Sequence, residues 1–303
     1  MTWTGGSFGD RAQCVLAPNA NMMTLDGTNT WVLREPGASR SVVVDPGPLG
    51  DGHLEAIRAT AGDIGVILLT HHHFDHSEGA RELAEIAGCG VRALDPEYRL
   101  GSEGLVGGDV VEVDGLEVRV VATPGHTADS LSFVLPAERA VLTGDTVLGR
   151  GTTVVAHPDG ELGAYLDSLD TLHALAEAQS ITAVWPGHGP VIEDALAVLD
   201  YYRAHRRERL AQVRNALVLL GAGGGSGSGG SGGGGRAGGR AGGRASAAAA
   251  EPSVLTPESS VLTPEPSLAR RIVEIVYADV DPILWPAAEL SVRAQLAYLR
   301  KPS

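Results

Sequence analysis

Two hydrophobic spacings take turns along roughly the first 220 residues. Short runs rich in β-branched residues read as strands: TWVL (30–33), SVVV (41–44), GVILLT (65–70), VVEV (110–113), LEVRVV (116–121), LSFVL (131–135), RAVLTG (139–144) and ITAVW (181–185). Between them, near 53–61, 77–87, 162–178 and 193–218, apolar residues return every three to four positions, which predicts helices. Strands and helices in this order predict an α/β domain in which helices cover two sheets.

The pattern stops at about residue 220. The tract GAGGGSGSGGSGGGGRAGGRAGGRASAAAA (221–250) has no side chains with which to build a core and reads as a flexible linker, spanning roughly 30 Å root-mean-square. The hexapeptide SVLTPE follows at 253 and again at 260, too short for a solenoid and similar to a duplicated helix-start signal. Order is expected again at about 264, in PEPSLARRIVEIVYADV, where Leu268, Ile272, Ile275 and Val276 keep helical spacing. After DVDP, a second helix carries Val292, Leu296 and Leu299 on one face. Two such helices are marginal alone, so the tail is expected to dock on the main body. The expected division is a catalytic domain over 1–220, a linker over 221–263 and a helical segment over 264–303.

Composition narrows the class. The chain is 43% apolar and 20% charged, the balance of a globular protein, and no stretch approaches the roughly 20 apolar residues of a membrane span. The start, MTWTGGSFGDRAQCV, has neither the basic nor the apolar part of a signal peptide. Two cysteines, Cys14 and Cys89, form no C-x-x-C and no disulfide framework, which favours a reducing cytoplasm. Nothing in the sequence marks a protein partner. A formal net charge of −14 weighs against binding to a phosphate backbone.

Candidate chemistry gathers where strands end. VILLT runs into His71, LEVRVV into TPGHT with His126, AVLTG into Asp145, and TAVWPG into His188. In α/β folds, functional groups collect at the carboxyl ends of strands. The densest stretch is LLTHHHFDHSEGA (68–80), with four histidines and an aspartate inside six positions. Imidazoles this close repel one another if protonated and bury poorly if unpaired, and a divalent cation resolves both problems. In an extended segment His71 and His73 point the same way and share one metal, while His72 faces away. A turn at Phe74 brings Asp75 and His76 to a second metal, and Ser77 is placed to cap a helix beginning near Glu78.

The set T-H-x-H-x-D-H (Thr70, His71, His73, Asp75, His76), followed by TPGHT, TGDT and PGHG, resembles the metallo-β-lactamase fold superfamily over about residues 28–215. The resemblance implies an αββα sandwich with a dinuclear metal site at one edge. His71, His73 and His126 would hold the first metal, and Asp75, His76 and His188 the second, with Asp145 bridging. VVDPG resembles the family's first motif, which makes Asp45 a supporting residue. TGDTVLGRGTTVV, YLDSLDTL, WPGHGPVI and YRAHRRERLAQV are similar to the beta-lactamase-like protein 2 group, which carries a C-terminal winged-helix segment. Here the chain stops where a wing is usual, and the 221–250 tract is extra; both put a nucleic-acid role for the tail in doubt.

The implied chemistry is hydrolysis by a hydroxide bridging two metals, zinc first, iron or manganese otherwise, with Asp75 as proton acceptor. Asp145 stands where secreted β-lactamases place cysteine, and His73 where di-iron oxygen reductases place glutamate. Three substrate readings stay open: single-stranded RNA, a thioester or lactone as in glyoxalase II relatives, and a persulfide oxidised at one iron. On YYRAHRRERLAQV, His205, Arg206 and Arg209 share a helical face with Tyr202 and are candidates to grip an anionic substrate; an ion-pair network is the other reading of that face. Arg203, Arg206, Arg207 and Arg209 on this helix, with Arg236, Arg240 and Arg244 in the linker, are local basic elements that bear on the RNA reading; a solvated helix face and a solubilising linker are the other reading, and the favoured one.

Overall fold

The computed structural model describes residues 2–50, 52–223 and 266–301. A six-stranded sheet runs in sequence order: β1 (Gly6–Phe8), β2 (Ala12–Leu16), β3 (Asn29–Leu33), β4 (Arg40–Val44), β5 (Asp63–Leu68) and β6 (Gly90–Arg92). Its first four strands pair antiparallel, and β4, β5 and β6 pair parallel. Helices α1 (His53–Ala61), α2 (Phe74–Ser77) and α3 (Ala80–Ala87) fill the parallel crossovers. The second sheet has the order β11-β10-β9-β8-β7, from β7 (Val110–Val113), β8 (Leu116–Ala122), β9 (Leu131–Leu135), β10 (Ala140–Gly144) and β11 (Ala183–Pro186). Helix α4 (Leu162–Gln179) makes the single parallel crossover of this sheet, between β10 and β11.

In β4, β5, β9 and β10 the strand residues are largely apolar on both faces because both faces are covered. Val42 and Val44 of β4 point into the layer between the sheets, whereas Val43 points at α1 and α3. Phe133 of β9 and Leu142 of β10 enter that middle layer, and Val134 and Val141 meet α4 and α5 (Ala195–Gly223) on the far side. This two-residue alternation builds the four layers, helix, sheet, sheet, helix. Trp31 and Trp185 stack across the middle layer with centroids 5.1 Å apart, and Trp31 Nε1 donates to the Pro186 carbonyl at 3.2 Å.

The tail packs on the body. Ser267 caps α6 (Leu268–Val276), its hydroxyl accepting from the Arg270 N–H. Ile272, Val273 and Val276, with Val292 and Leu296 of α7 (Trp285–Arg300), close over Val213 and Ala216 of α5. Leu268 and Ile275 were expected on that face and are instead exposed, because the buried stripe runs through 269, 272, 273 and 276.

Three further points differ from expectation. Strands β1, β2 and β6 were not anticipated; two of them have only three residues, too few to show a period. The helix expected over 77–87 is two pieces, and Ser77 closes α2 rather than capping its successor, its hydroxyl donating to the His72 carbonyl at 2.8 Å. Helix α5 runs to Gly223, into the expected linker; the rest of that linker and both SVLTPE copies lie outside the described residues.

Ile272 is fully buried between α6, α7 and α5. Ile272→Ala should therefore lower stability by about 2–5 kcal/mol, read as a fall in the denaturant midpoint. An unchanged midpoint would show that the tail does not dock as described.

Candidate metal centre

One edge of the two sheets carries the centre, where β5, β8, β10 and β11 end. Asp45, just after β4, organises it. Its carboxylate accepts the Thr70 N–H at 2.8 Å through Oδ1, and the Thr70 hydroxyl at 2.6 Å and His76 Nδ1 at 2.9 Å through Oδ2. To reach them Asp45 holds a left-handed backbone, φ 50°, which a non-glycine residue adopts only at a cost.

Those contacts decide which ring nitrogens are left bare. The Thr70 hydroxyl gives its one proton to Asp45, so it accepts from His71 Nδ1–H at 3.0 Å. His126 Nδ1 donates to the Val154 carbonyl at 2.8 Å, and His188 Nδ1 to the Gly27 carbonyl at 3.1 Å. Four imidazoles thus have Nδ1 tied to an oxygen and turn Nε2 inward. Asn29, the first residue of β3, clamps the loop of the last of them: its Nδ2 donates to the carbonyls of Pro186 and Gly189, at 2.9 and 2.8 Å.

The inward nitrogens converge in two groups. His71 Nε2 and His126 Nε2 lie 3.0 and 3.1 Å from His73 Nδ1, and His76 Nε2 lies 3.2 Å from His188 Nε2. Asp75 Oδ2 is 3.1 Å from His188 Nε2. Asp145 reaches both groups, with Oδ1 3.4 Å from His76 Nε2 and Oδ2 3.8 Å from His126 Nε2. Bare nitrogens facing each other at these distances repel unless a cation stands between them. Asp145 Oδ1 is buried with no hydrogen bond, a further sign of a missing positive partner. The donor set fits two divalent ions, and His71–His73–His126 and Asp75–His76–His188 each offer three ligand atoms within 4.8 Å of one another.

Electrostatics separate the two groups. Burial drives His71 and His126 below the ordinary imidazole range and His73 to about 4, so all three are neutral, the state in which an imidazole can bind a metal. Burial opposes charge on His76 and His188 as well, yet Asp145 and Asp75 hold His76 well above its usual value and push His188 up to about 9. For Asp145, burial is outweighed by His188 and His76, which keep it ionised. The carboxylate side of the centre therefore calls for positive charge, which a metal supplies as well as a proton.

Glycine is required at two approaches. A Cβ at Gly187 would lie 2.6 Å from Asp145 Oδ1 and 2.8 Å from His76 Cε1, so only bare backbone passes there. Gly125, at φ 136°, turns TPGHT sharply against the backbone of Tyr165. His72 faces away, with Nδ1 2.8 Å from Asp129 Oδ1. It could form a third donor group with His73 and Asp159, but Asp159 is exposed and His72 is already held by Asp129.

A cavity of ≈ 400 Å³ opens on His126 and Asp145. His205, Arg206 and Arg209 line it, whereas Tyr202 lies in the core with its hydroxyl accepting from the Leu148 N–H. Met22, Met23 and Leu25 form one wall, and Tyr277, Val280 and Leu284 of the tail another. The sequence reading missed these walls; the apolar pair Met22–Met23 in an otherwise polar loop was the available signal. It also missed the Gly27 and Val154 carbonyls, which have no side-chain signature.

Residues 23–188 match the metallo-beta-lactamase superfamily, and residues 269–301 match the beta-lactamase associated winged helix domain. The chain belongs to the metallo-β-lactamase superfamily and is a hydrolase of that fold. It is 33% identical over 226 residues to a beta-lactamase-like protein 2 homolog of Caenorhabditis elegans, a match covering 69% of this chain and 71% of the other. It is 37% identical over 206 residues to an atrochrysone carboxyl ACP thioesterase of Aspergillus fumigatus, across 64% of this chain and 62% of that protein's length. A beta-lactamase domain protein of Burkholderia ambifaria shares the fold, with TM-score 0.69 and 20% identity over 97% of this chain and 87% of the other. No helix among the described residues is long and apolar enough to cross a membrane.

Two variants test the assignment of His72 and His73. His72→Ala should keep its metal content by elemental analysis, and His73→Ala should lose much of it; equal loss would mean that His72 is a ligand. Asp45→Asn should weaken metal affinity about 10- to 100-fold, the usual effect of removing a partner that orients a ligand. Unchanged affinity in a chelator competition would remove Asp45 from the account.

Proposed function

We propose that the protein hydrolyses thioesters or similar activated acyl compounds at a dinuclear zinc centre. His71, His73 and His126 would hold one ion and Asp75, His76 and His188 the other, with Asp145 between them. The nitrogen and oxygen donors suit zinc, and iron or manganese would use the same set. When bound, such ions provide Lewis acidity and make water a nucleophile at neutral pH.

The protein's own groups do the rest. Asp75 is the most exposed carboxylate of the centre, with 30% of its side-chain surface accessible, and His76 and His188 overcome its burial to keep it ionised. It accepts the proton of the attacking water and passes it to the leaving thiolate. Asp45 and Thr70 fix the imidazoles in one tautomer throughout.

The observation that carries the acyl reading is the cavity. Its size is that of a small-molecule site, and Met22, Met23, Leu25, Leu148, Val280 and Leu284 give it walls suited to an alkyl or aryl chain. The likeness to the fungal thioesterase supports the same class. The net charge of −14 counts against an RNA strand. The division into a catalytic body (1–220), linker (221–263) and helical segment (264–303) belongs to this proposal, supported by two family matches that fall on either side of 221–263. A reducing, cytoplasmic setting is supported by the two free cysteines, Cys14 and Cys89.

The test is a parallel assay of zinc-loaded protein on hexanoyl-N-acetylcysteamine, single-stranded RNA and a persulfide. Hydrolysis of the thioester, lost with chelator and restored by zinc, is expected. RNA cleavage without thioester hydrolysis would contradict the proposal, as would one iron per chain with oxygen uptake on persulfide.

A further inference from the structure

We propose that Arg206 and Arg209 form an oxyanion-binding subsite in this cavity, so that the acyl substrate carries a carboxylate or phosphate besides the reacting carbonyl. The reaction assumed is the acyl hydrolysis proposed above; the binding site is argued independently of it.

Arg206 is 4% exposed, and neither it nor Arg209 has a carboxylate within ion-pair distance among the described residues. Among the described residues, the ion-pair network that the sequence allowed for this face does not form at Arg206 or Arg209. Arg206 Nη2 donates to the Thr153 carbonyl at 2.6 Å, its guanidinium lies 4.8 Å from the Tyr165 ring centre, and its Nε is buried without a partner. Arg209 Nη1 donates to the Val276 carbonyl at 2.9 Å, and its guanidinium lies 4.6 Å from the Tyr277 ring centre. His205 Nδ1 is buried and unpartnered beside them, and burial with the two arginines holds His205 at about 4, hence neutral. The third arginine of the cavity, Arg150, is paired with Asp26.

A buried guanidinium without an anion is costly, and carbonyls and aromatic rings offset only part of that cost. A planar, always-charged fork is the natural host for a carboxylate or phosphate. The spacing from the reaction centre is fixed by neighbours in sequence: the Thr153 carbonyl holds Arg206, and the next carbonyl, Val154, holds His126. Arg209 is presented by Val276 and Tyr277, so the tail belongs to the substrate site as a wall that aims a cation. That placement gives the C-terminal helices a role in recognising a small anionic substrate.

The experiment compares adipoyl-N-acetylcysteamine, which ends in a carboxylate, with hexanoyl-N-acetylcysteamine, of equal chain length without one. Zinc-loaded wild type, Arg206→Gln, Arg209→Gln and Tyr277→Leu are assayed, with melting temperature and metal content checked. Wild type should favour the adipoyl compound in kcat/KM by at least about tenfold, through KM, and each arginine variant should lose that preference, its kcat/KM falling more for the adipoyl than for the hexanoyl compound. Tyr277→Leu should lose part of it. If Arg206→Gln does not fold, Arg209→Gln carries the test. Calorimetry with adipate, hexanoate and inorganic phosphate separates binding from reaction. Adipate favoured over hexanoate, with the ratio lost in the variants, assigns a carboxylate; phosphate binding lost in the variants assigns a phosphate. Either result with no thioester turnover keeps the subsite and removes the acyl-hydrolase reading. An adipate-to-hexanoate ratio and phosphate affinity unchanged in both arginine variants would overturn the subsite.

Discussion

The buried carboxylate of Asp45 is the interaction on which the centre depends. It takes one backbone N–H and one hydroxyl from Thr70 and one ring N–H from His76, and through Thr70 it also sets the tautomer of His71. A carboxylate at 2% exposure is costly unless its acceptor sites are filled, and here three donors fill them. The left-handed backbone at Asp45 is tolerated because those contacts, with the preceding β4 paired to β3 and β5, over-determine the geometry. Bare Nε2 atoms directed inward are the result, and that is why the cluster suits metal rather than a hydrogen-bonded network.

The sandwich supplies the second constraint. Each sheet contributes strand ends to one edge, so ligands far apart in sequence meet only if the sheets are held in register with each other. Trp31 stacked on Trp185, and Asn29 bonded to Pro186 and Gly189, tie the first sheet to the loop that carries His188. The Val154 carbonyl does the same for His126, and the adjoining Thr153 carbonyl extends that order to Arg206. Metal centre, cavity and tail are consequently one connected structure, and changes in the α5–α6–α7 packing reach the cavity through Tyr277 and Arg209.

Much of this was legible in the sequence because strands and metal-type donors have strong signatures. The eight anticipated strands lie within two residues of their observed bounds: β9 and β10 are buried on both faces, so their apolar runs stand out, and β7 and β8, with one face open, show the two-residue alternation instead. The grouping of His71, His73 and His126, and of Asp75, His76 and His188, followed from family motifs at strand ends. What stayed hidden depends on tertiary contact. Gly27 and Val154 act through backbone carbonyls, which no residue type reports. Ser77 looks like a cap in sequence, but the chain had already begun its turn at Phe74. The basic face of α5 was visible, whereas the placement of Arg206 and Arg209 in a cavity walled by Tyr277, Val280 and Leu284 became evident only once the neighbouring tail was in place.

Anomalous diffraction at the zinc absorption edge, from crystals of the zinc-loaded protein, would locate the ions. Two peaks are expected, one bounded by His71, His73 and His126 and one by Asp75, His76 and His188, with Asp145 between them. A single peak elsewhere, or none with the imidazoles still facing one another, would contradict this arrangement.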